Sequence, residues 1–310
     1  METGLGARGP SVARPLGYGP DMRFLLPCMT LGCASGAVDS AGSGAADART
    51  CHGSADLCDR PLDSVAIAMT HNAMSSADDG WLGPNQTHGL ERQLADGVRG
   101  MMLDVHPWEG EAWLCHGYCE LGAERLADGF RRLGGFLEAN PDEALILMLE
   151  SYVDPAWVAA AAEEAGVAEL AYTHPAGAAW PTLAQLGDVG TPLVVFSQGD
   201  GEGVPWIHAG YRDHAWDTPY AAQTAEDFSC ERLRGDADHA FFLVNHFLTR
   251  PTARVELAEE VNHDPLLSER IDRCAAEAGR PVSWVAVDFY EVGDVLSAVW
   301  RMNRTGRASP

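Results

Sequence analysis

The sequence contains no lysine: its 21 basic residues are all arginine, set against 45 acidic ones, for a formal net charge of −24. A nucleic-acid partner needs a basic face to neutralise its phosphates, so this balance excludes one. It also excludes docking on an anionic lipid surface driven by charge. Without lysine there is no Walker-type phosphate loop, and neither an H-E-x-x-H zinc helix nor a G-x-S-x-G nucleophile turn occurs. The apolar run at residues 24–31 is too short to cross a bilayer. The acidic excess reads as a solvated surface.

That short apolar run belongs to a leader. Residues 1–21 are rich in Gly, Pro and Arg and show no periodicity. Met22 and Arg23 then precede the run, which is followed by Gly32-Cys33-Ala34-Ser35. This has the shape of an export signal that starts at Met22. Thr30-Leu31-Gly32-Cys33 resembles a lipoprotein cleavage site, so Cys33 is the expected lipidation position and a membrane surface an expected partner through that anchor. An ordinary secretory signal cut within residues 34–50 is the alternative. Residues 34–50 are small and polar and read as a flexible tether. The expected organisation is a leader over 1–33, a tether over 34–50 and one domain over 51–310, exported as a monomer.

Of eight cysteines, Cys28 and Cys33 lie in the leader. Cys51, Cys58, Cys115, Cys119, Cys230 and Cys274 remain, an even set that suits a disulfide framework in an exported protein. Proximity along the chain favours Cys51 with Cys58 and Cys115 with Cys119, leaving Cys230 with Cys274. A zinc site around Cys115-His116 and Cys119 would want a second pair of ligands that the sequence does not offer.

Apolar residues make up 46% of the chain, enough for a large core. Short apolar runs at residues 65–69, 101–105, 144–149, 193–196, 241–244 and 284–287 read as buried strands. Helical periodicity fills residues 123–139, 155–165 and 265–278. This alternation predicts an α/β fold with a parallel sheet, either a doubly wound sheet or a β/α barrel. Polar residues cluster where the runs end: Thr70-His71-Asn72, Asp104 and His106, Glu150, Asn245-His246 and Asp288. In a barrel the carboxyl ends of the strands build the active site, so these residues predict one polar cup suited to acid–base chemistry.

Five segments then resemble the catalytic X domain of phosphatidylinositol-specific phospholipases C. They are MTHNAMSS (69–76), QLADGVRGMMLDVH (93–106), LCHGYC (114–119), FLEANPDEALILMLE (136–150) and WVAVDFYEVGD (284–294). Their order and spacing carry the likeness across most of the chain after the leader. The resemblance implies a distorted, partly open TIM-type barrel that cleaves a small phosphodiester or phospholipid head group. It places the catalytic pair at His71, as base, and His116, as acid, with Asp288 holding His71 in its tautomer. It also implies Ca²⁺ bound by Asn72, Asp104 and Glu150, although Met102 stands where the calcium-binding branch has a further carboxylate. Arg99, or another arginine, is the expected phosphate clamp should the metal be absent. His106, Asn245 and His246 are further expected substrate contacts, with a core or rim role as their alternative. Two other readings compete: a glycerophosphodiester phosphodiesterase, and an inactive secreted binding module on the same barrel.

Overall fold

Residues whose neighbours are apolar on both faces must pair their backbone groups with one another, and here they do so as strands. A computed structural model describes residues 49–305. The leader, Cys33 and all of the tether except Arg49 and Thr50 lie outside the described residues. Ten strands follow in chain order: β1 (Ile67–Thr70), β2 (Gly100–Trp108), β3 (Glu111–Leu114), β4 (Glu124–Arg125), β5 (Leu145–Ser151), β6 (Leu193–Ser197), β7 (Ile207–Ala209), β8 (Ala215–Asp217), β9 (Phe241–Asn245) and β10 (Trp284–Val287). All six expected runs are among them. The curled sheet runs β7-β6-β5-β2-β1-β10-β9-β8, and every pairing along that path is parallel. Its two end strands, β7 and β8, are joined by the turn Gly210–His214 and form no ladder with each other among the described residues. The fold is therefore α/β, a barrel left open at one seam.

The described residues form eight helices: α1 (Ala55–Cys58), α2 (Leu90–Ala95), α3 (Leu126–Ala139), α4 (Pro155–Ala165), α5 (Leu183–Asp188), α6 (Val255–Val261), α7 (Leu266–Ala278) and α8 (Val295–Arg304). In α3, Leu126, Phe130, Leu133 and Leu137 recur at helical spacing and are buried. Truncating one of them to Ala would cost about 2–5 kcal/mol. The Asp154 side chain caps α4 by accepting from Ala156 N at 2.8 Å, and Pro155 opens the helix.

Strand side chains alternate, and this divides the core in two. Leu103, Val105, Leu147, Leu149 and Val285 face outward, in one cluster with Phe130, Leu133 and Val158 of the helices. Met69, Met102, Ile146, Met148, Phe196, Leu243 and Trp284 face inward and fill the barrel. That parity decides which residue at each strand end enters the cup. Disulfides join Cys51 to Cys58, Cys115 to Cys119 and Cys230 to Cys274, the pairs that proximity favoured.

Candidate active site

The first strand delivers His71 and Asn72. His71 continues the inward parity of Ile67 and Met69, and its backbone N–H donates to Val287 O at 2.9 Å. Asn72 has φ +46°, a left-handed conformation that Asn tolerates better than most residues. The chain can then turn so that Ala73 N donates to Met102 O at 2.9 Å. Gln86 closes the corner by donating from Nε2 to His71 O at 2.8 Å.

His71 Nδ1 lies 2.9 Å from Asp288 Oδ1, and Asn85 Nδ2 donates to the same oxygen, also at 2.9 Å. The imidazole lies flat on Phe247, with centroids 3.9 Å apart and planes within 6°. Burial alone would lower the His71 pKa. The Asp288 carboxylate, through its charge and hydrogen bond, and the charges of Asp104 and Glu150 outweigh burial and raise it.

His116 arrives by a different route. β2 runs past Asp104 to Trp108, turns at Glu109 and Gly110, both with positive φ, and returns antiparallel as β3. Cys115 N donates to Asp104 O at 3.3 Å, and the Cys115–Cys119 bridge closes the loop that carries His116. The Asn72 Nδ2 sits between the two rings, 3.3 Å from His71 Nε2 and 3.4 Å from His116 Nε2. His116 is exposed at the mouth. The protein around it still withdraws water from the ring, and this, together with the charge of His71, lowers its pKa.

Asp104 and Glu150 are direct neighbours on β2 and β5, both of inward parity. Glu150 accepts from the Tyr152 hydroxyl and from Gln198 Nε2, the latter at 3.1 Å. The buried Asp104 carboxyl receives no hydrogen bond among the described residues. Burial and the charge of Glu150 push its pKa up to about 7. Asp104, Glu150 and the Asn72 amide together offer oxygen donors, the ligand type that a hard divalent cation takes. Three converging His, Cys, Asp or Glu side chains are not found among the described residues, and Met102 is buried on the cup floor. The set is therefore a sparse one.

His71, Asn72, Asn85, Asp104, His116 and Glu150 line one open cavity of about 820 Å³, with Asp288 behind His71. Of the expected substrate contacts, His106 lines it and stacks on Tyr152 with centroids 4.4 Å apart. Asn245 also lines it, but its Nδ2 is spent on Asp217 Oδ2 at 3.1 Å and Thr218 O at 2.7 Å. Two expectations are corrected. Arg99 precedes β2 at the opposite end of the barrel, where Nε bonds Glu143 at 2.7 Å and Nη1 bonds the Leu94 and Val98 carbonyls. His246 follows Phe242 and Val244 in outward parity and is fully buried, with Nε2 bonded to Val261 O at 2.9 Å and Arg270 beside it. Neither ring nor guanidinium reaches the cup.

The cup does hold one arginine, and the strand-end pattern missed it. Arg234 lies in the long loop between β8 and β9, which the Cys230–Cys274 bridge ties to α7. Its guanidinium donates to Asp217 Oδ2 from Nη2 at 2.5 Å, to Gln198 Oε1 from Nη1 at 2.8 Å and to Tyr211 OH from Nη2 at 3.1 Å. These partners stand on both sides of the open seam, so Arg234 bridges it above the barrel while facing the cavity.

A partly open parallel barrel with two histidines, a buried carboxylate behind one of them and an acidic pair at the strand ends has the architecture of the phospholipase C-like family. The PI-PLC X family profile matches residues 57–303, and the chain belongs to that family. A PI-PLC X domain-containing protein of Arabidopsis thaliana is 28% identical over 78% of this chain, and an uncharacterized secreted protein of Arthroderma benhamiae is 25% identical over 82%. The chain spans 62% and 63% of those two relatives' lengths. The solved phosphatidylinositol-specific phospholipase C of Listeria monocytogenes shares the fold, with TM-score 0.56 and 18% identity, over 80% of this chain and 96% of that one. A secreted relative and three disulfides are consistent with export.

Proposed function

We propose that the protein cleaves a phosphodiester of the phospholipid head-group kind, with His71 and His116 as its acid–base pair. The observation that carries this reading is the pair of imidazoles on either side of the Asn72 amide, one of them backed by Asp288. His71 takes the proton of a head-group hydroxyl beside the phosphoester, and that oxygen forms a bond to phosphorus. The bond to the leaving alcohol oxygen breaks, and His116 gives that oxygen its proton. The product is a cyclic phosphodiester, which water can open by the reverse assignment of acid and base. Asp288 keeps the Nδ1 proton in place, which leaves Nε2 to face the substrate.

In the resting cup the pKa shifts favour a proton on His71 over His116. Asn72, Asp104 and Glu150 are the residues that would hold Ca²⁺. The cation would offset phosphoryl charge and cancel two of the carboxylate charges that retain the His71 proton. Lipidation at Cys33 would keep the barrel beside its substrate.

Phosphorus NMR of products from an inositol phospholipid and a glycerophosphodiester, with and without Ca²⁺, tests the reading. A cyclic head-group phosphodiester is expected. Release of glycerol phosphate alone would assign the competing glycerophosphodiesterase activity, and no turnover on either would make the barrel a binding module.

A further inference from the structure

The two histidines are held by unlike means. His71 follows β1 directly, its Nδ1 meets Asp288 at 2.9 Å, and its ring lies on Phe247 with centroids 3.9 Å apart. His116 is exposed, and among the described residues its ring has one hydrogen-bond neighbour, the Asn72 amide that it shares with His71. The backbone must therefore place it. Upstream, the β2–β3 ladder holds the chain as far as Leu114, which pairs with Val105. Downstream, Leu82 N donates to Leu121 O at 2.8 Å. Trp81 packs so closely on the next residue, Gly122, that a Cβ there would stand 2.4 Å from the indole. Residues 115–120 span these two anchors, and His116, Gly117 and Tyr118 are exposed in succession. Gly117 has φ +75°, a left-handed conformation that glycine adopts freely. The Cys115–Cys119 bridge shortens the span, leaving only His116, Gly117 and Tyr118 between its ends.

We propose that the Cys115–Cys119 bridge positions the acid His116, so that the cup gains its acid only when this bridge is oxidised. The inference rests on the phosphodiesterase reading of the cup. Without the bridge the exposed loop samples many conformations, and a displacement of about 1 Å at a reacting group is worth roughly a hundredfold in rate. The base half of the site does not share this dependence, because the pairing of β1 with β10 sets His71 against Asp288. Cys115 is buried, whereas Cys119 is half-buried between exposed Tyr118 and Glu120 and is the more accessible end of the bridge. A dithiol reductant opens the bridge: two electrons and two protons pass to the cysteines, giving two thiols, and the dithiol becomes a cyclic disulfide. A disulfide oxidant reverses the step by accepting the two electrons and two protons. A reducing compartment thus keeps the enzyme without its acid in place, and oxidation after export completes the site.

Turnover of two esters of one head-group phosphate tests this, one with an alkyl alcohol and one with nitrophenol as the leaving group. An alkoxide needs a proton to leave, whereas nitrophenolate does not. The variant C115S/C119S, and the wild type reduced with dithiothreitol, should each lose at least about tenfold in kcat on the alkyl ester. Both should lose far less on the nitrophenyl ester, with KM little changed. Dithiothreitol should change nothing further in C115S/C119S, which separates this bridge from the other two. Removing the bridge from His116→Ala should cost little more, because the bridge acts through that ring. Unfolding curves check that each protein is folded at the assay temperature. NMR order parameters of the His116 and Gly117 backbone should fall below about 0.6 on reduction. Unchanged order parameters, wild-type turnover of the alkyl ester by C115S/C119S, equal losses on both esters, or a full further loss in the His116→Ala background would each overturn the proposal. Falling order parameters without turnover of any phosphodiester would overturn the catalytic reading and leave the bridge supported as the restraint on the loop.

Discussion

Asp288 stands one residue beyond β10 and His71 one residue beyond β1, and the parallel register of those strands sets Asp288 Oδ1 2.9 Å from His71 Nδ1. The contact needs no special loop, because Thr70 pairs with Val287 and the next residue on each strand keeps the inward parity. Asp288→Ala should therefore lower kcat at least about tenfold by releasing the tautomer and orientation of the ring, with KM little changed. Asn85→Ala removes one donor from the same oxygen and should act in the same direction, more weakly. Steady-state kinetics decides it: a raised KM with kcat intact would place Asp288 in substrate binding.

Asp104 is held in the folded state at a cost. Its folded pKa of about 7 lies above the unfolded value near 3.9. Its ionisation therefore destabilises the fold as pH rises from about 4 to 7, and the penalty is fully present above pH 7. Asp104→Asn should stabilise the metal-free protein at pH 7.5 by roughly 1–3 kcal/mol, read by denaturant unfolding. Ca²⁺ should raise the melting temperature of the wild type and leave that of Asp104→Asn nearly unmoved. EGTA should reverse the gain and abolish turnover. Equal responses of the two proteins to Ca²⁺ would remove Asp104 from the metal site.

Arg234 holds a fully buried carboxylate, Asp217, at the open seam. Removing the guanidinium leaves that charge unpaired, so Arg234→Ala should cost about 3–5 kcal/mol. Asp217→Asn in the same chain should recover part of the loss. Chemical denaturation of the single and double variants measures it, and independent, additive effects would show that the pair is not coupled.

Much of this site can be read from parity alone. His71, Asp104, Glu150 and Asp288 each lie two residues beyond an inward core residue, namely Met69, Met102, Met148 and Ala286. The same rule extends to Gln198 after Phe196 and Asp217 after Ala215, both of which escaped notice. Asp217 ends a three-residue strand too short for a pattern, and Gln198 lies past the polar end of its apolar run. Parity also separates Asn245 from His246, which adjacency on the chain had joined. Arg234 and Asn85 had no local signal. Each sits on a loop, and one is placed by a disulfide whose partner is 44 residues away.

Buried neutral histidines set the acid limit of stability. His52 is held at about 4 and His246 at about 3, in both cases chiefly by burial. Their folded values lie below the unfolded value near 6.5, so the unfolded chain binds the proton more readily. Stability is complete above about pH 6.5 and falls as pH drops through that value towards the folded pKa, by about 1.4 kcal/mol per pH unit for each histidine. Protonation of Asp104 and of His71, whose folded pKa values are raised, acts in the opposite sense, so the comparison belongs in the double variant Asp104→Asn/His71→Ala. A melting temperature flat between pH 7 and 5 in that variant would contradict the assignment.

The central claim is that His71 and His116 exchange protons with the reacting phosphodiester. The most direct test is turnover of His71→Ala and His116→Ala on a substrate the wild type cleaves, with unfolding curves to confirm that both variants fold. Each should lose at least about a hundredfold in kcat, the size of an acid–base contribution. Near-normal turnover by either variant would remove that histidine from the mechanism and contradict the two-histidine account.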